Sequence, residues 1–121
     1  MRKKGSLLKS FYYAYCGIKH VCTVERNMKI HLVAAGIVLG AGMYFRINQT
    51  EWLVLLLVIA GVLALEMVNS AIEATVDLVT AERHPLAKIA KDVAAGAVLL
   101  FTCFAVIIGF IVFWPYIDRA Y

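Results

Sequence analysis

The chain has 121 residues, 63% of them hydrophobic and 17% charged, with a formal net charge of +4. That balance excludes a disordered chain, and it excludes an ordinary soluble domain, because a domain this small leaves much of its surface in water. The length holds a single domain over 1–121 with no room for a Rossmann or protein-kinase architecture, neither GxxxxGK(S/T) nor GxGxxG occurs, and the excess of bases points to an anionic membrane surface with no nucleic-acid partner.

Arg2, Lys3 and Lys4 resemble the start of a signal peptide. Lys9 and Ser10 interrupt the apolar run that follows, and no A-x-A site is present, so a retained N-terminus is expected. Over 6–24, Leu8, Phe11, Tyr12, Tyr15, Ile18 and Cys22 recur at helical spacing, with Lys9, Tyr13, Cys16, His20 and Thr23 on another face. This predicts an amphipathic helix lying in the membrane interface. Cys16, Cys22 and Cys103 are odd in number and lack metal spacing, so free thiols are expected.

A first span is predicted over about 30–47, with Gly36 and Gly40 forming a GxxxG pattern. Residues 48–51 read as a short polar loop, and Trp52 reads as an interfacial anchor. The second span, about 52–80, starts as a clean apolar run and then acquires Glu66, Asn69, Ser70, Glu73 and Asp77. The segment from Thr80 to Pro85 reads as a break, with Pro85 suited to the first turn of a new helix. Residues 86–92 read as a polar turn leading into the apolar run of a third span, about 86–114, with Trp114, Tyr116 and Tyr121 as a belt at its far end.

The predicted architecture is an all-α integral membrane protein with a surface helix and three transmembrane helices. Arg2, Lys3, Lys4, Lys9, Lys19, Arg26 and Lys29 precede the first span, and Arg83, Lys88 and Lys91 lie between the second and third. Only Arg46 and Arg119 fall on the other side. The positive-inside rule therefore predicts a plasma-membrane protein with its N-terminus and the Arg83 loop in the cytoplasm.

Glu66, Asn69, Glu73 and Asp77 stand at i, i+3, i+7 and i+11, on one stripe of the second span. Three carboxylates on one stripe repel each other, and an acid at membrane depth is costly. A divalent cation carrying phosphates would compensate, since Mg²⁺ takes one or two protein carboxylates and completes its shell with waters and phosphate oxygens. Lys88, Lys91, Asp92 and Ala95 share a face at the start of the third helix, where Lys91 is placed to hold a phosphate, the alternative being a snorkelling lysine paired with Asp92. Glu25, just before the first span, completes a metal site if it folds over Glu73. Glu66 lies about 10 Å of helix rise from Glu73, where it can take the proton of a lipid alcohol. The pattern points to phosphoryl transfer to a lipid hydroxyl. A small ion-coupled transporter using Glu66 and Glu73 as a relay is the alternative from another class, and it has no need of Lys91 and Asp92.

Glu66-Met-Val-Asn69-Ser-Ala-Ile-Glu73-Ala-Thr-Val-Asp77 and Lys88-Ile-Ala-Lys91-Asp92 resemble the signature of the prokaryotic membrane diacylglycerol kinase family. The resemblance implies a homotrimeric bundle with active sites shared between subunits. It implies Glu66 as catalytic base supported by Asn69, with Glu25 and Glu73 holding Mg²⁺ on ATP. Tyr13, Glu25, Glu73, Asp77, Glu82, Arg83, His84, Lys91 and Asp92 then form the ATP site, and Glu66 and Ala95 the lipid site. Diacylglycerol-specific members carry Gly-Ser-Ala after the Lys-Asp pair. Here Ala94-Ala95-Gly96 follows Val93, and with the segment from Glu25 to His31 it resembles the undecaprenol kinase branch. Undecaprenol is the expected acceptor, and diacylglycerol the alternative.

Overall fold

The computed structural model describes residues 6–120, all in helices and short connections. Arg2, Lys3, Lys4 and Tyr121 lie outside the described residues. Four helices follow in order: α1 (Leu7–Val24), α2 (Arg26–Phe45), α3 (Gln49–Val79) and α4 (Pro85–Ala120). Three of them, α2, α3 and α4, are long and apolar enough to cross a membrane.

Local chemistry sets the helix ends. Ser6 caps α1, its side-chain oxygen accepting from the Lys9 N–H at 3.3 Å. Glu25 is the single extended residue between α1 and α2. Residues 49–51, expected in a loop, are already helical. Asn48 Oδ1 accepts from the Glu51 N–H at 2.8 Å, and Glu51 Oε1 accepts from the Asn48 N–H at 3.1 Å. This reciprocal capping box starts α3 early, leaving only Arg46, Ile47 and Asn48 as the connection. Residues 86–92, expected as a polar turn, form the first turns of α4. Pro85 opens that helix, and His84 Nδ1 accepts from the Leu86 N–H at 3.1 Å. Capping by a ring nitrogen gave no pattern that spacing alone would reveal.

α3 has 31 residues and α4 has 36. At 1.5 Å per residue they measure about 46 and 54 Å, against a hydrocarbon core of about 30 Å. Both therefore extend beyond the core, and the surplus turns beside the α3–α4 connection carry Asp77, Lys88, Lys91 and Asp92.

Helices pack along seams of alternating three- and four-residue spacing. Met28, Ala35 and Gly42 are buried on α2, with His31 and Val38 partly buried between them and Phe45 partly buried one turn beyond. α3 buries Leu55, Val62, Glu66 and Asn69, and α4 buries Ala94, Val98 and Val112. The polar stripe of α3 thus continues its apolar seam. At the α2–α3 end, Ile47, Leu55 and Val112 form a core against Phe45, Trp52, Phe113 and Tyr116. The Tyr116 hydroxyl donates to Glu51 Oε1, tying α4 to α3 there. Trp52, expected as an interfacial anchor, packs across Gly42, where a Cβ would lie 2.8 Å from the indole. Gly36 and Gly40 have no neighbour within 4 Å of a Cβ position, so the GxxxG pattern joins no helices within the chain.

Gly61 is different. A Cβ there would lie 2.3 Å from Phe101 Cζ. Alanine favours helix by up to about 1 kcal/mol over glycine, but overpacking costs typically 1–3 kcal/mol. Gly61→Ala is therefore expected to lower the thermal midpoint in detergent. Adding Phe101→Leu restores part of the loss if the ring is the cause, and an unchanged midpoint for the single variant would contradict this packing.

Candidate active site

The α3 stripe faces α2 and α4 at the end nearer the α3–α4 connection. Glu66 is 2% exposed, the lowest value among the charged side chains described. An unpaired acid at the centre of a membrane helix costs about 2.5–3.5 kcal/mol on insertion scales, so what surrounds this carboxylate matters. The Asn69 amide nitrogen donates to Glu66 Oε2 at 3.2 Å and to Glu73 Oε1 at 3.1 Å. One amide thus spends both its hydrogens on the two carboxylates and holds them in register. The repulsion expected along the stripe is relieved by this bridge and, farther along, by Lys91.

Lys91 Nζ meets Asp77 Oδ1 at 2.6 Å across the α3–α4 seam. Asp92, the partner that the sequence offered to Lys91, instead receives Lys88 Nζ at 2.5 Å. Both pairs are substantially solvated, so they add little stability. Their effect is placement, since Lys91 stands at the seam with its charge directed to the α3 stripe.

Two cavities adjoin these groups. One, of about 530 Å³, lies at the α3–α4 connection, lined by Asp77, Glu82, Arg83, His84, Lys88, Lys91 and Asp92 among others. The other, of about 250 Å³, is lined by Asn27, His31, Glu66, Asn69, Ala95, Val98, Leu99 and Thr102. The structure therefore gathers the connection residues with Asp77, Lys91 and Asp92, and gathers Glu66, Asn69 and Ala95 into a second site. Glu73, hydrogen-bonded to Asn69, joins the second group to the polar end of α3. Tyr13, an exposed residue of α1, and Glu25, at the α1–α2 junction, line neither cavity. Among the described residues, no three His, Cys, Asp or Glu side chains are grouped to cage a metal by themselves.

His31 is a neighbour of Glu66 that was not among the expected site residues. Its Nε2 lies 3.6 Å from Glu66 Oε1. The available signal was its place at helical spacing from Met28 and Ala35, which puts it on the buried seam of α2. Cys16, Cys22 and Cys103 are free, as expected.

These features define a small helical membrane protein whose buried carboxylate and amide are continuous with a charged, open end. Residues 12–113 match the family described as prokaryotic diacylglycerol kinase. The chain belongs to that family, and is a lipid kinase by class. It is 47% identical over 107 residues to the undecaprenol kinase of Bacillus subtilis (strain 168), covering 88% of this chain and 87% of that protein. It is 42% identical over 105 residues to a diacylglycerol kinase of Synechocystis, covering 86% of this chain and 60% of that protein. It is 28% identical over 110 residues to the diacylglycerol kinase of Escherichia coli (strain K12), covering 91% and 90%. This kinship answers the transporter alternative in favour of a kinase.

Proposed function

We propose that this protein transfers the γ-phosphate of ATP to undecaprenol, giving undecaprenyl phosphate. The observation that carries the reading is the buried Glu66 joined through Asn69 to Glu73, with the Lys91–Asp77 pair one turn farther along α3. Such an arrangement gives phosphates a charged, solvated end and gives an alcohol a proton acceptor at membrane depth. Glu66 acts as the general base, with Asn69 orienting its carboxylate. Glu66 and Ala95 adjoin the alcohol end of the lipid. Tyr13, Glu25, Glu73, Asp77, Glu82, Arg83, His84, Lys91 and Asp92 form the nucleotide site. Binding there is mainly positioning and charge neutralisation, as phosphoryl transfer requires.

In this reading Glu25 and Glu73 would hold Mg²⁺. A hard cation that completes its shell with water and phosphate oxygens needs no protein cage. Carboxylate oxygens suit it, and Asn69 occupies only Oε1 of Glu73. When bound, the ion offsets negative charge on the transferring phosphate.

The functional unit is a single domain over 1–121 that assembles as a homotrimer with shared sites, in the plasma membrane with its N-terminus and active site cytoplasmic. α1 lies in the interface: Leu8, Phe11, Tyr12, Tyr15 and Ile18 are all exposed, an apolar surface that headgroups and acyl chains would cover.

Diacylglycerol is the second acceptor to weigh, because relatives carrying that kinase name match most of this chain. The 47% identity to an undecaprenol kinase supports the polyprenol, as does Ala95 at the position that the resemblance ties to acceptor choice. Initial rates with each lipid in matched mixed micelles decide the point. A larger kcat/KM for undecaprenol is expected, and a larger value for diacylglycerol would reverse the assignment.

A further inference from the structure

Three polar atoms of residues lining the smaller cavity are buried without a hydrogen-bond partner: Glu66 Oε1, Asn69 Oδ1 and Thr102 Oγ1. Thr23 and Thr75 bond back to carbonyls one turn earlier, at 2.9 and 2.8 Å, in the usual manner of helical threonines. Thr102 does not. His31 and Asn27 of α2 complete the polar part of this wall, beside Glu66 and Asn69 of α3 and Thr102 of α4.

The distance between His31 and Glu66 is informative. At 3.6 Å, Nε2 and Oε1 are too far apart to hydrogen-bond directly. They are close enough for one alcohol oxygen to sit at about 2.8 Å from both. His31 and Thr102 are also the two residues shared with a neighbouring cavity of about 260 Å³, otherwise lined by apolar groups such as Val38, Leu55, Ile59 and Val106. They mark the junction where a polar cavity meets an apolar one. A lipid alcohol has that same division between its hydroxyl and its chain.

We propose that His31 binds the acceptor hydroxyl and aims it, an inference that rests on the kinase reading of the Glu66 site. The alcohol donates its proton to Glu66 Oε1. The His31 Nε2–H donates to one lone pair of the alcohol oxygen. The second lone pair forms the new bond to the γ-phosphorus, while the bond from that phosphorus to the bridging oxygen breaks and ADP leaves with the electron pair. Glu66 holds the proton. Thr102 keeps the junction polar, so that a hydroxyl rather than hydrocarbon settles there.

The test uses the full chain in mixed micelles with MgATP and undecaprenol. His31→Leu is expected to lower kcat/KM for the lipid about tenfold, the loss of one well-placed hydrogen bond, with the KM for MgATP unchanged. His31→Gln, which keeps an N–H donor, is expected to recover most of that loss. A general loss of structure would disturb both substrates and would not be rescued by glutamine. Wild-type kinetics in the leucine variant, or equal impairment in both variants, would overturn the role of His31 while leaving the kinase reading intact. If the leucine variant fails to fold, His31→Met against His31→Gln makes the same comparison. No phosphate transfer by the wild-type protein would overturn the reading on which the inference rests, and the inference with it.

Discussion

Glu66→Gln is expected to lower kcat by about 10³-fold, within the range typical for loss of a positioned general base, and to leave MgATP binding nearly unchanged. Glutamine fills the same space and can still interact with Asn69, so the packing of the seam is kept. What it lacks is basicity. Glu66 is buried between α2, α3 and α4 and lines the lipid-side cavity, separate from the larger cavity at the α3–α4 connection. Nucleotide affinity and the Mg²⁺ titration should therefore stay as in the wild type. Calorimetric titration of MgATP beside a turnover assay checks both halves. Loss of nucleotide binding would move Glu66 into the metal site.

Asn69→Leu is expected to damage both chemistry and stability. Among the described residues, its amide is the one group bonded to both Glu66 and Glu73. Leucine leaves Glu66 Oε2 and Glu73 Oε1 without that donor, and a buried acceptor left unsatisfied costs about 1–3 kcal/mol, more for a charged group. A fall in kcat of about 10²-fold, corresponding to about 2.7 kcal/mol, is expected together with a raised Mg²⁺ requirement, because both carboxylates lose their orientation. Turnover measured across a Mg²⁺ titration separates this variant from Glu66→Gln, which moves kcat alone. An unchanged Mg²⁺ curve would show that Asn69 does not couple the two carboxylates.

Much of this arrangement was legible in the chain. Apolar runs marked three long helices, and the spacing of Glu66, Asn69, Glu73 and Asp77 placed them on one stripe, because helical periodicity alone fixes that relation. Which face of each helix would be covered was less visible. In a lipid environment, apolar residues sit both on the seam and away from it, so Leu55 inside and Leu57 outside look alike in sequence. The partners of the stripe were hidden for the same reason. Lys91 is bonded to Asp77, fourteen positions away, rather than to its neighbour Asp92. His31 reaches Glu66 from a different helix. Helix ends were misjudged where side chains did the capping. Asn48 with Glu51, and His84 with Leu86, converted residues that look like polar turns into helix. Glu25 and Tyr13 are joined to the site by motif resemblance alone, since neither lines its cavities.

We propose that an alcohol at membrane depth gives its proton to Glu66 as it takes a phosphate from ATP. The most direct measurement follows label from γ-labelled ATP into undecaprenol in mixed micelles, with wild type and Glu66→Gln side by side and the lipid product identified. Labelled undecaprenyl phosphate formed by the wild type and lost in the variant is the predicted result. Label transferred equally well by Glu66→Gln, or no label entering the lipid with either protein, would contradict the account.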